Sequence, residues 1–396
     1  MSEWKKVKFR DLFLDSTKNG IYKTKEFHGR GAKIINMGEI FAYSFVGSQE
    51  MSRVEINDKE RDSFLVMDGD LLFARRSLIE SGAGKCSIVT NISDETTFES
   101  SIIRVRLNKH LANPLFYMYW MRSLAGKTAM NGIVSGVNVK GIRASDLQNI
   151  DVDFPTLSVQ NNIATILSRY DSLIENYQKQ IKLLEEAAQR LYKEWFVDLH
   201  FPGHEHTKTA DGVPEGWEKK RLIDLVDVQY GYAFDGKLFN NNGEGMPILR
   251  IRNIPDGITS DYTTEEASPN YIVHDGDIVV GMDGIFHINS WNGGDAYLVQ
   301  RACSFRPKEE NTRGFVFQAI QEPIKYFEQT LVGATVAHLG KKHIDSIELL
   351  VPANKDLYIP FQRGFMQRQA LLSQIRFLTE ARDRLLPKLM SGEIAV

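Results

Sequence analysis

The chain repeats its own plan, and this repetition constrains the fold more than any other feature of the sequence. The two copies share, in order, Trp4 and Trp217, Asp68-Gly69-Asp70 and Asp275-Gly276-Asp277, and Ile181 and Ile375. The separation between matched residues falls along the chain, from 213 at the tryptophans to 207 and then 194. A duplication followed by small deletions gives such a decline, and two copies are too few for a solenoid. We therefore predict two related globular modules, each followed by a long helix.

Two stretches with a heptad pattern indicate these helices. The first runs from Ala164 to Val197 without proline or glycine, and the second covers about Phe361 to Met390, with Arg382 as the one polar entry. The predicted seam consists of Leu167, Tyr170, Ile174, Tyr177, Ile181, Leu184, Leu191 and Trp195, followed in the second copy by Leu371, Ile375, Leu378, Leu385 and Leu389. Spacings that alternate between three and four residues are typical of coiled coils. The duplication favours an intramolecular antiparallel pair over a coiled coil that only dimerises the protein.

The modules themselves are predicted to be mixed α/β, with strand-rich centres. Strands are expected at 34–40 and 247–254, and at 64–67 and 71–74 around the Asp-Gly-Asp turn. Asn113-Pro114 is expected to open a helix that runs to about Ala125, and 314–330 is its counterpart, with a break at Pro323. The predicted boundaries are 1–155 for the first module, 156–199 for its helix, 200–214 for a linker, 215–352 for the second module and 353–396 for its helix.

Composition limits the cellular setting. The chain has 396 residues, 42% apolar and 25% charged, and a net charge of −3, so any nucleic-acid surface must be local. No apolar run is long enough to cross a membrane, and the N-terminus lacks the apolar core of a signal peptide. Cys86 and Cys303 occupy non-equivalent places in the repeat, without metal-type spacing. We expect a cytoplasmic protein with reduced thiols and no membrane partner.

The order of motifs in both copies resembles the specificity subunits of type I restriction-modification enzymes. Gly231-Tyr232-Ala233-Phe234, the stretch from Gly245 to Ile254, and Gly276 to Val280 are similar to the opening and central strand of that family's target-recognition domains. Gly69 to Ser77 is similar to the same strand entering a DNA-facing loop. Phe154-Pro155 and Val351-Pro352 are similar to the exits from the two domains.

This resemblance implies a subunit without catalytic activity of its own. Each module would read one half of an asymmetric bipartite target in double-stranded DNA, while the helices set the spacing and dock two methyltransferase subunits. Restriction and translocation subunits would complete the complex. Adenine would be the methylated base, with S-adenosylmethionine and Mg-ATP bound by the partner subunits rather than by this chain.

Candidate DNA-binding residues follow from charge and side-chain chemistry. In the first module they are Lys18, Lys23, Lys25, Arg30 and Lys33 in a glycine-rich segment, Arg75, Arg76 and Lys85 after the central strand, and Asn138, Lys140 and Arg143 near the exit. In the second they are Tyr230, Tyr232, Lys237, Arg250, Arg252, Asn253, Asp283, His287, Asn289, Asn292, Lys341 and Lys342. Arginine suits guanine, asparagine suits adenine and aspartate suits the cytosine amine, whereas contacts to phosphate position without specifying sequence.

Other interpretations have weaker support. Asp70 and Asp277 belong to ordinary turn sequences rather than to a catalytic pair. Residues 81–85 lack the first glycine and the Ser or Thr of a phosphate-binding loop. His200, His204 and His206 have no nearby cysteine or carboxylate cluster that favours a metal site. A scaffold that binds protein partners without reading DNA is the main alternative, and missing cofactor motifs argue against a self-sufficient methyltransferase.

Overall fold

The computed structural model describes residues 4–78, 82–136, 139–331 and 337–396. The chain divides into two compact units: one contains Met1–Ser172 and Leu378–Val396, and the other contains Leu173–Phe377. Each unit therefore holds one module together with part of each long helix, whereas the predicted boundaries separated the modules from the helices.

The first unit is built around a five-stranded sheet in the order β2-β10-β6-β8-β4. Its strands are β1 (Lys5–Lys8), β2 (Lys18–Asn19), β3 (His28–Ile35), β4 (Phe45–Val46), β5 (Arg53–Val54), β6 (Leu71–Ala74), β7 (Arg76–Ser77), β8 (Cys86–Val89), β9 (Thr96–Phe98), β10 (Ile102–Val105), β11 (Lys140–Gly141) and β12 (Asp151–Phe154). Its helices are α1 (Met37–Ala42), α2 (Asp58–Phe64), α3 (Pro114–Arg122), α4 (Leu124–Asn131), α5 (Ala144–Gln148) and the start of α6 (Leu157–Tyr192).

The second unit has a four-stranded sheet in the order β16-β24-β21-β22 and a five-stranded sheet in the order β17-β19-β18-β23-β20. Its strands are β13 (Thr209–Ala210), β14 (Val213–Pro214), β15 (Trp217–Arg221), β16 (Val226–Tyr230), β17 (Phe239–Asn240), β18 (Met246–Leu249), β19 (Tyr262–Thr263), β20 (Ile272–Val273), β21 (Ile278–Gly281), β22 (Ile288–Ser290), β23 (Ala296–Leu298), β24 (Ala302–Pro307) and β25 (Glu348–Pro352). Its helices are α7 (Leu222–Leu225), α8 (Arg313–Ala319), α9 (Gln321–Thr330), α10 (Lys341–Asp345) and the start of α11 (Ile359–Met390).

The duplication predicted from the sequence is confirmed in the strand pairing. An entry strand pairs antiparallel with an exit strand in both units, β1 with β12 and β15 with β25. The central hairpin recurs as β6·β8 and β21·β22, each flanked by one further antiparallel strand, β10 and β24. A parallel pair also recurs, β3 with β9 and β18 with β23. The fold is therefore mixed α/β and repeated, as predicted.

The two Asp-Gly-Asp turns have the same structural role. Asp70 is 1% exposed, and both of its carboxylate oxygens lie 2.7 Å from the Arg106 guanidinium. Asp277 makes the equivalent pair with Arg306, at 3.0 Å. Each carboxylate also accepts a backbone N–H from the start of its own turn. A buried carboxylate must be paired in this way, which agrees with the prediction that these residues form turns.

The long helices form the predicted antiparallel pair within each unit. In the first, Leu167 near the start of α6 belongs to the same core as Leu389 near the end of α11. In the second, Glu185 of α6 pairs with Arg368 of α11. The buried seam positions are Leu167, Ile174, Ile181, Leu371 and Leu389, and the half-buried ones are Tyr170, Tyr177, Leu184, Leu191, Trp195, Ile375, Leu378 and Leu385. The first helix ends in a π-helical turn at Lys193–Val197.

Three local predictions were wrong. Residues 37–42 form α1 rather than a strand, because Asn36 and Glu39 make a capping box at its start. The expected strand at 64–67 is the end of α2 and an extended loop, and Asn57 caps that helix with Glu60. The strand at 247–254 stops at Leu249 and continues as a 3-10 turn.

The expected helices are present, but the break in the second one lies earlier in the chain than Pro323. Asn113 caps α3 and Pro114 is its first residue, as predicted. In the second unit the break between α8 and α9 lies at Ile320, and Pro323 stands in the first turn of α9, where its missing N–H costs nothing.

Candidate nucleic-acid interface

Each unit carries a loop that follows its central strand and is fixed by the same backbone contacts. We call residues 75–78 the first bridged loop and residues 282–285 the second bridged loop. In the first, Ile142 N–H donates to the Arg75 carbonyl at 3.0 Å, and Arg76 pairs with Gly141. In the second, Leu339 N–H donates to the Met282 carbonyl at 2.8 Å. The framework beneath both loops is thus the same.

In the second loop, an antiparallel β-bridge pairs Asp283 with His338. This pair corresponds to the pairing of Arg76 with Gly141 in the first loop. A third contact is repeated as well: the N–H of Arg75 donates to Ser101, and that of Met282 to Arg301, both at 2.8 Å. The side chains at these matched positions differ completely in charge. A constant frame that presents variable side chains is the arrangement expected of a recognition surface.

The first bridged loop collects positive charge. Arg76 and Arg143 are exposed and Arg75 is half-buried. Within the described part of the chain, none of these three arginines forms an ion pair, so no carboxylate there competes with an anionic partner. Lys140 lies on the strand that bridges the loop. The structure therefore brings together four of the residues predicted to bind DNA.

Lys85 lies close to this loop, since its carbonyl accepts the N–H of Ala74 at 2.9 Å. Its ammonium donates to the Phe41 carbonyl at 2.6 Å. Burial, together with the positive charge of Arg122, lowers the pKa of Lys85. Asn138, which was also predicted to bind DNA, lies outside the described residues.

The basic segment from Lys18 to Lys33 is less available than its sequence suggested. Lys23 lies 2.7 Å from Glu60, Arg30 pairs with Glu55, and Lys33 lies 3.7 Å from Asp94. The hydrogen bond from Arg30 lowers the pKa of Glu55. The acids come from later in the chain, so the sequence of the segment alone did not indicate these ion pairs.

The other two lysines of this segment differ from each other. Lys18 donates to the Ser63 carbonyl at 3.2 Å, and Lys25 is exposed. Much of the segment is strand β3 rather than a loop. Its positive charge is largely neutralised, and the first bridged loop is the stronger candidate surface.

In the second bridged loop, Asp283 contacts two side chains that the sequence analysis missed, His338 and Arg301. His338 Nδ1 lies 2.6 Å from one carboxylate oxygen and Arg301 lies 3.2 Å from the other. His338 is 60% and Arg301 68% exposed, so both remain open to solvent. Aligning the two copies by their offset would have matched His338 with Gly141 and drawn attention to it.

The neighbouring lysines of α10 are also exposed. Lys341 forms an ion pair with Asp345 at 2.8 Å, and Lys342 follows it in the first turn. His287 is half-buried, with its carbonyl bound to Gly281 N–H at 2.8 Å.

Several other predicted residues of the second module have partners within it. Tyr232 packs against Phe234 and Tyr271. Arg250 lies 5.3 Å from the Phe239 ring, and its N–H donates to the Asn253 side chain. Arg252 lies 2.6 Å from Asp261. Burial raises the pKa of Tyr230 to about 12. Its hydroxyl is buried and has no hydrogen-bond partner among the described residues. Lys237 is exposed.

Asn289 and Asn292 have structural roles that the sequence did not predict. The Asn289 amide donates to the carbonyls of Ile254 and Pro255, both at 2.9 Å, and its oxygen accepts from Arg368 at 2.8 Å. Asn292 is 4% exposed and accepts from Ser373 at 3.0 Å. Both amides therefore connect the module to helix α11.

Among the described residues, no helix combines the length and apolarity needed to cross a bilayer. The same residues contain no group of three or more metal-ligating side chains. His204 contacts the Phe201 carbonyl through Nδ1 at 2.9 Å, and its ring centre lies 5.2 Å from that of His200.

Taken together, the fold and the bridged loops define a duplicated recognition protein with a long helix after each module. The family model for the type I restriction modification DNA specificity domain matches residues 1–186 and again 214–362. The chain belongs to this family of type I restriction-modification specificity subunits, and its modules are the two target-recognition domains.

Similar proteins span the full repeat. The chain is 24% identical to the type I restriction enzyme MjaIX specificity subunit of Methanocaldococcus jannaschii, over 94% of this chain and 89% of that one. It is 21% identical to the HindI specificity subunit of Haemophilus influenzae, with both chains covered completely. The crystal structure of a type I S subunit from M. genitalium shares the fold, with a TM-score of 0.58, 18% identity, and coverage of 98% of this chain and 96% of that one.

Proposed function

We propose that each target-recognition domain reads one half of an asymmetric bipartite DNA sequence through its bridged loop. The observation that carries this proposal is the set of backbone contacts that recurs in both units. These contacts join Arg76 to Gly141 in the first unit and Asp283 to His338 in the second. A constant frame with different side chains supports two readers of related geometry and different preference.

The side chains suit contacts with base edges and phosphates. Arg75 and Arg76 match the guanine O6 and N7 acceptors of the major groove. In the second domain, Asp283 orients Arg301 and His338, and its carboxylate can accept from a cytosine amine. Because the first loop carries two arginines and the second carries a carboxylate paired with Arg301 and His338, the two half-sites differ.

The chain itself catalyses no reaction in this proposal. The methyltransferase and nuclease reactions belong to partner subunits, which bind S-adenosylmethionine and Mg-ATP, and adenine is the methylated base. The long helices dock two methyltransferase subunits and set the spacing of the half-sites, and restriction subunits complete the assembly. Chromosomal DNA as the substrate implies that the protein works in the cytoplasm.

A binding experiment separates this function from that of a protein scaffold. The chain, purified with its methyltransferase subunits, is challenged with a pool of random duplexes, and bound sequences are identified after repeated selection. We expect enrichment of two short blocks separated by unspecified bases, with affinity that falls steeply as salt rises. A scaffold would enrich no sequence and show a shallow salt dependence.

A further inference from the structure

One apolar side chain projects into solvent at the same repeat position in both bridged loops. Leu78 is 84% exposed in the first loop and Ile285 is 60% exposed in the second. Their numbers differ by 207, which is also the offset between Asp68 and Asp275 in the preceding turns. The three residues before each differ completely: Arg75-Arg76-Ser77 precedes Leu78, and Met282-Asp283-Gly284 precedes Ile285.

Isolated exposed apolar residues are common on protein surfaces and need no explanation. Here the exposure recurs at one position of a duplicated frame, between neighbours that have diverged. Drift would replace an exposed leucine or isoleucine with a polar residue at little cost in stability. Retention of a branched apolar side chain in both copies therefore points to a shared contact.

The backbone is fixed on both sides of Ile285 and on the Ser77 side of Leu78. In the second loop, Gly284 N–H donates to the Ala337 carbonyl at 2.9 Å. Phe286 is 4% exposed, and its N–H donates to Glu328 at 2.7 Å. Ile285 is thus fixed on both sides. In the first loop, Ser77 is buried and pairs with Lys140, immediately before Leu78.

We propose that Leu78 and Ile285 make the apolar base contact of their respective half-sites. This inference rests on the proposed function and adds the residue that meets the bases. The partner is double-stranded DNA rather than protein, because the loop that carries Leu78 also carries Arg75 and Arg76, and Arg143 follows the strand that pairs with this loop. Two apolar features of DNA fit such a side chain, the 5-methyl group of thymine and the face of a partly unstacked base.

The test uses the complex of this chain with its methyltransferase subunits, and the duplex carrying the bipartite sequence selected above. We expect Leu78→Ser to weaken binding by about tenfold, as loss of one buried leucine contact requires. The difference in affinity between this variant and the unmodified complex should disappear on a duplex in which the half-site read by the first domain is scrambled. The difference should remain on a duplex in which only the other half-site is scrambled. Ile285→Ser should show the opposite dependence on the two half-sites. The salt slope should stay unchanged, because no charge is removed.

Control variants and modified duplexes complete the design. Leu14→Ser and Ile258→Ser remove exposed side chains outside the bridged loops, 63% and 49% exposed, and should bind as the unmodified complex does. Replacing thymine by uracil within a half-site removes the methyl group, and 2-aminopurine fluorescence reports unstacking. If uracil weakens binding of the unmodified complex but not of the serine variant, the contact is to the thymine methyl group. If 2-aminopurine fluorescence changes with the unmodified complex but not with the serine variant, the contact is to an unstacked base.

Other outcomes overturn the inference. Unchanged affinity of both serine variants for a duplex that the unmodified complex prefers would refute it and leave the proposed function standing. Equal losses on specific and random DNA would also refute it, as would loss of the methyltransferase subunits during purification, which would indicate protein docking. If the unmodified complex prefers no sequence, the proposed function itself fails.

Discussion

Arg368 Nε lies 2.6 Å from Glu185 Oε1, joining two helices across 183 residues of sequence. The guanidinium also donates to Asn289 at 2.8 Å and lies 5.4 Å from the Phe317 ring. In the first unit, Arg382 pairs with Asp171, and each partner lies fourteen residues, or two heptads, from its counterpart on the same helix. Polar positions inside a heptad seam fix register, so these pairs define how each helix segment aligns.

Replacing Arg368 should destabilise the second unit. Arg368→Met leaves Glu185 without its partner and removes the donors to Asn289 and Ser290. Because the Glu185 side chain is 36% exposed, we expect a loss of about 2 kcal/mol, below the 3–5 kcal/mol of a fully buried pair. Urea unfolding measures the change. Arg363→Met, at an exposed position of the same helix, should unfold as the parent does, and an equal effect of both variants would contradict this account.

A glycine at the same repeat position in both modules tests how closely the backbone segments pack within each module. At Gly231 a Cβ atom would lie 2.2 Å from the Val299 carbonyl oxygen, and at the matched Gly20 it would lie 2.1 Å from that of Phe98. We expect Gly231→Ala to cost about 1–3 kcal/mol, because the backbone must move apart. Gly236→Ala meets nothing within 4 Å and is the control. Unfolding midpoints that coincide for both variants would show that the approach is looser than the structure indicates.

The two thiols should be unreactive while the protein is folded. Cys86 and Cys303 are buried, and burial raises the pKa of the Cys86 thiol to about 12 and that of Cys303 as well. Since the thiolate is the reactive form, neither should react with a disulfide reagent at pH 8 until denaturant is added. Because folding raises the pKa of Cys86, the protonated thiol contributes to the free energy of unfolding at neutral pH. This contribution is lost as pH rises from about 9 towards 12. Rapid reaction of the native protein would contradict the assignment.

The first bridged loop should act on one half-site only. We expect Arg75→Ala with Arg76→Ala to weaken specific binding at least tenfold and to relax sequence preference in one block of the target. The matched control is Arg53→Ala with Arg61→Ala, which removes the same charge from arginines that are already paired with Asp94 and Glu95. Binding to duplexes with altered half-sites measures the effect. An equal loss at both blocks would contradict two independent readers.

The sequence predicted those features that depend on periodicity and repetition. The heptad seam, the matched order of motifs in the two copies and the Asp-Gly-Asp turns all follow from spacings within the sequence. It did not predict the neutralisation of the segment at Lys23, Arg30 and Lys33, because the paired acids lie some 25 to 61 residues away. The role of Asn289 was equally hidden, since its partner Arg368 lies 79 residues further along the chain.

Modification-sensitive sequencing of the host genome, with the gene for this chain intact and then deleted, tests the central claim most directly. We predict that deletion removes adenine methylation at a single bipartite motif, formed by two different short blocks with unspecified bases between them. Restoring the gene should restore the motif, and restoring it with Arg75→Ala and Arg76→Ala should change one block only. A methylation pattern that is the same with and without the gene, while the methyltransferase subunits are expressed, would contradict the account.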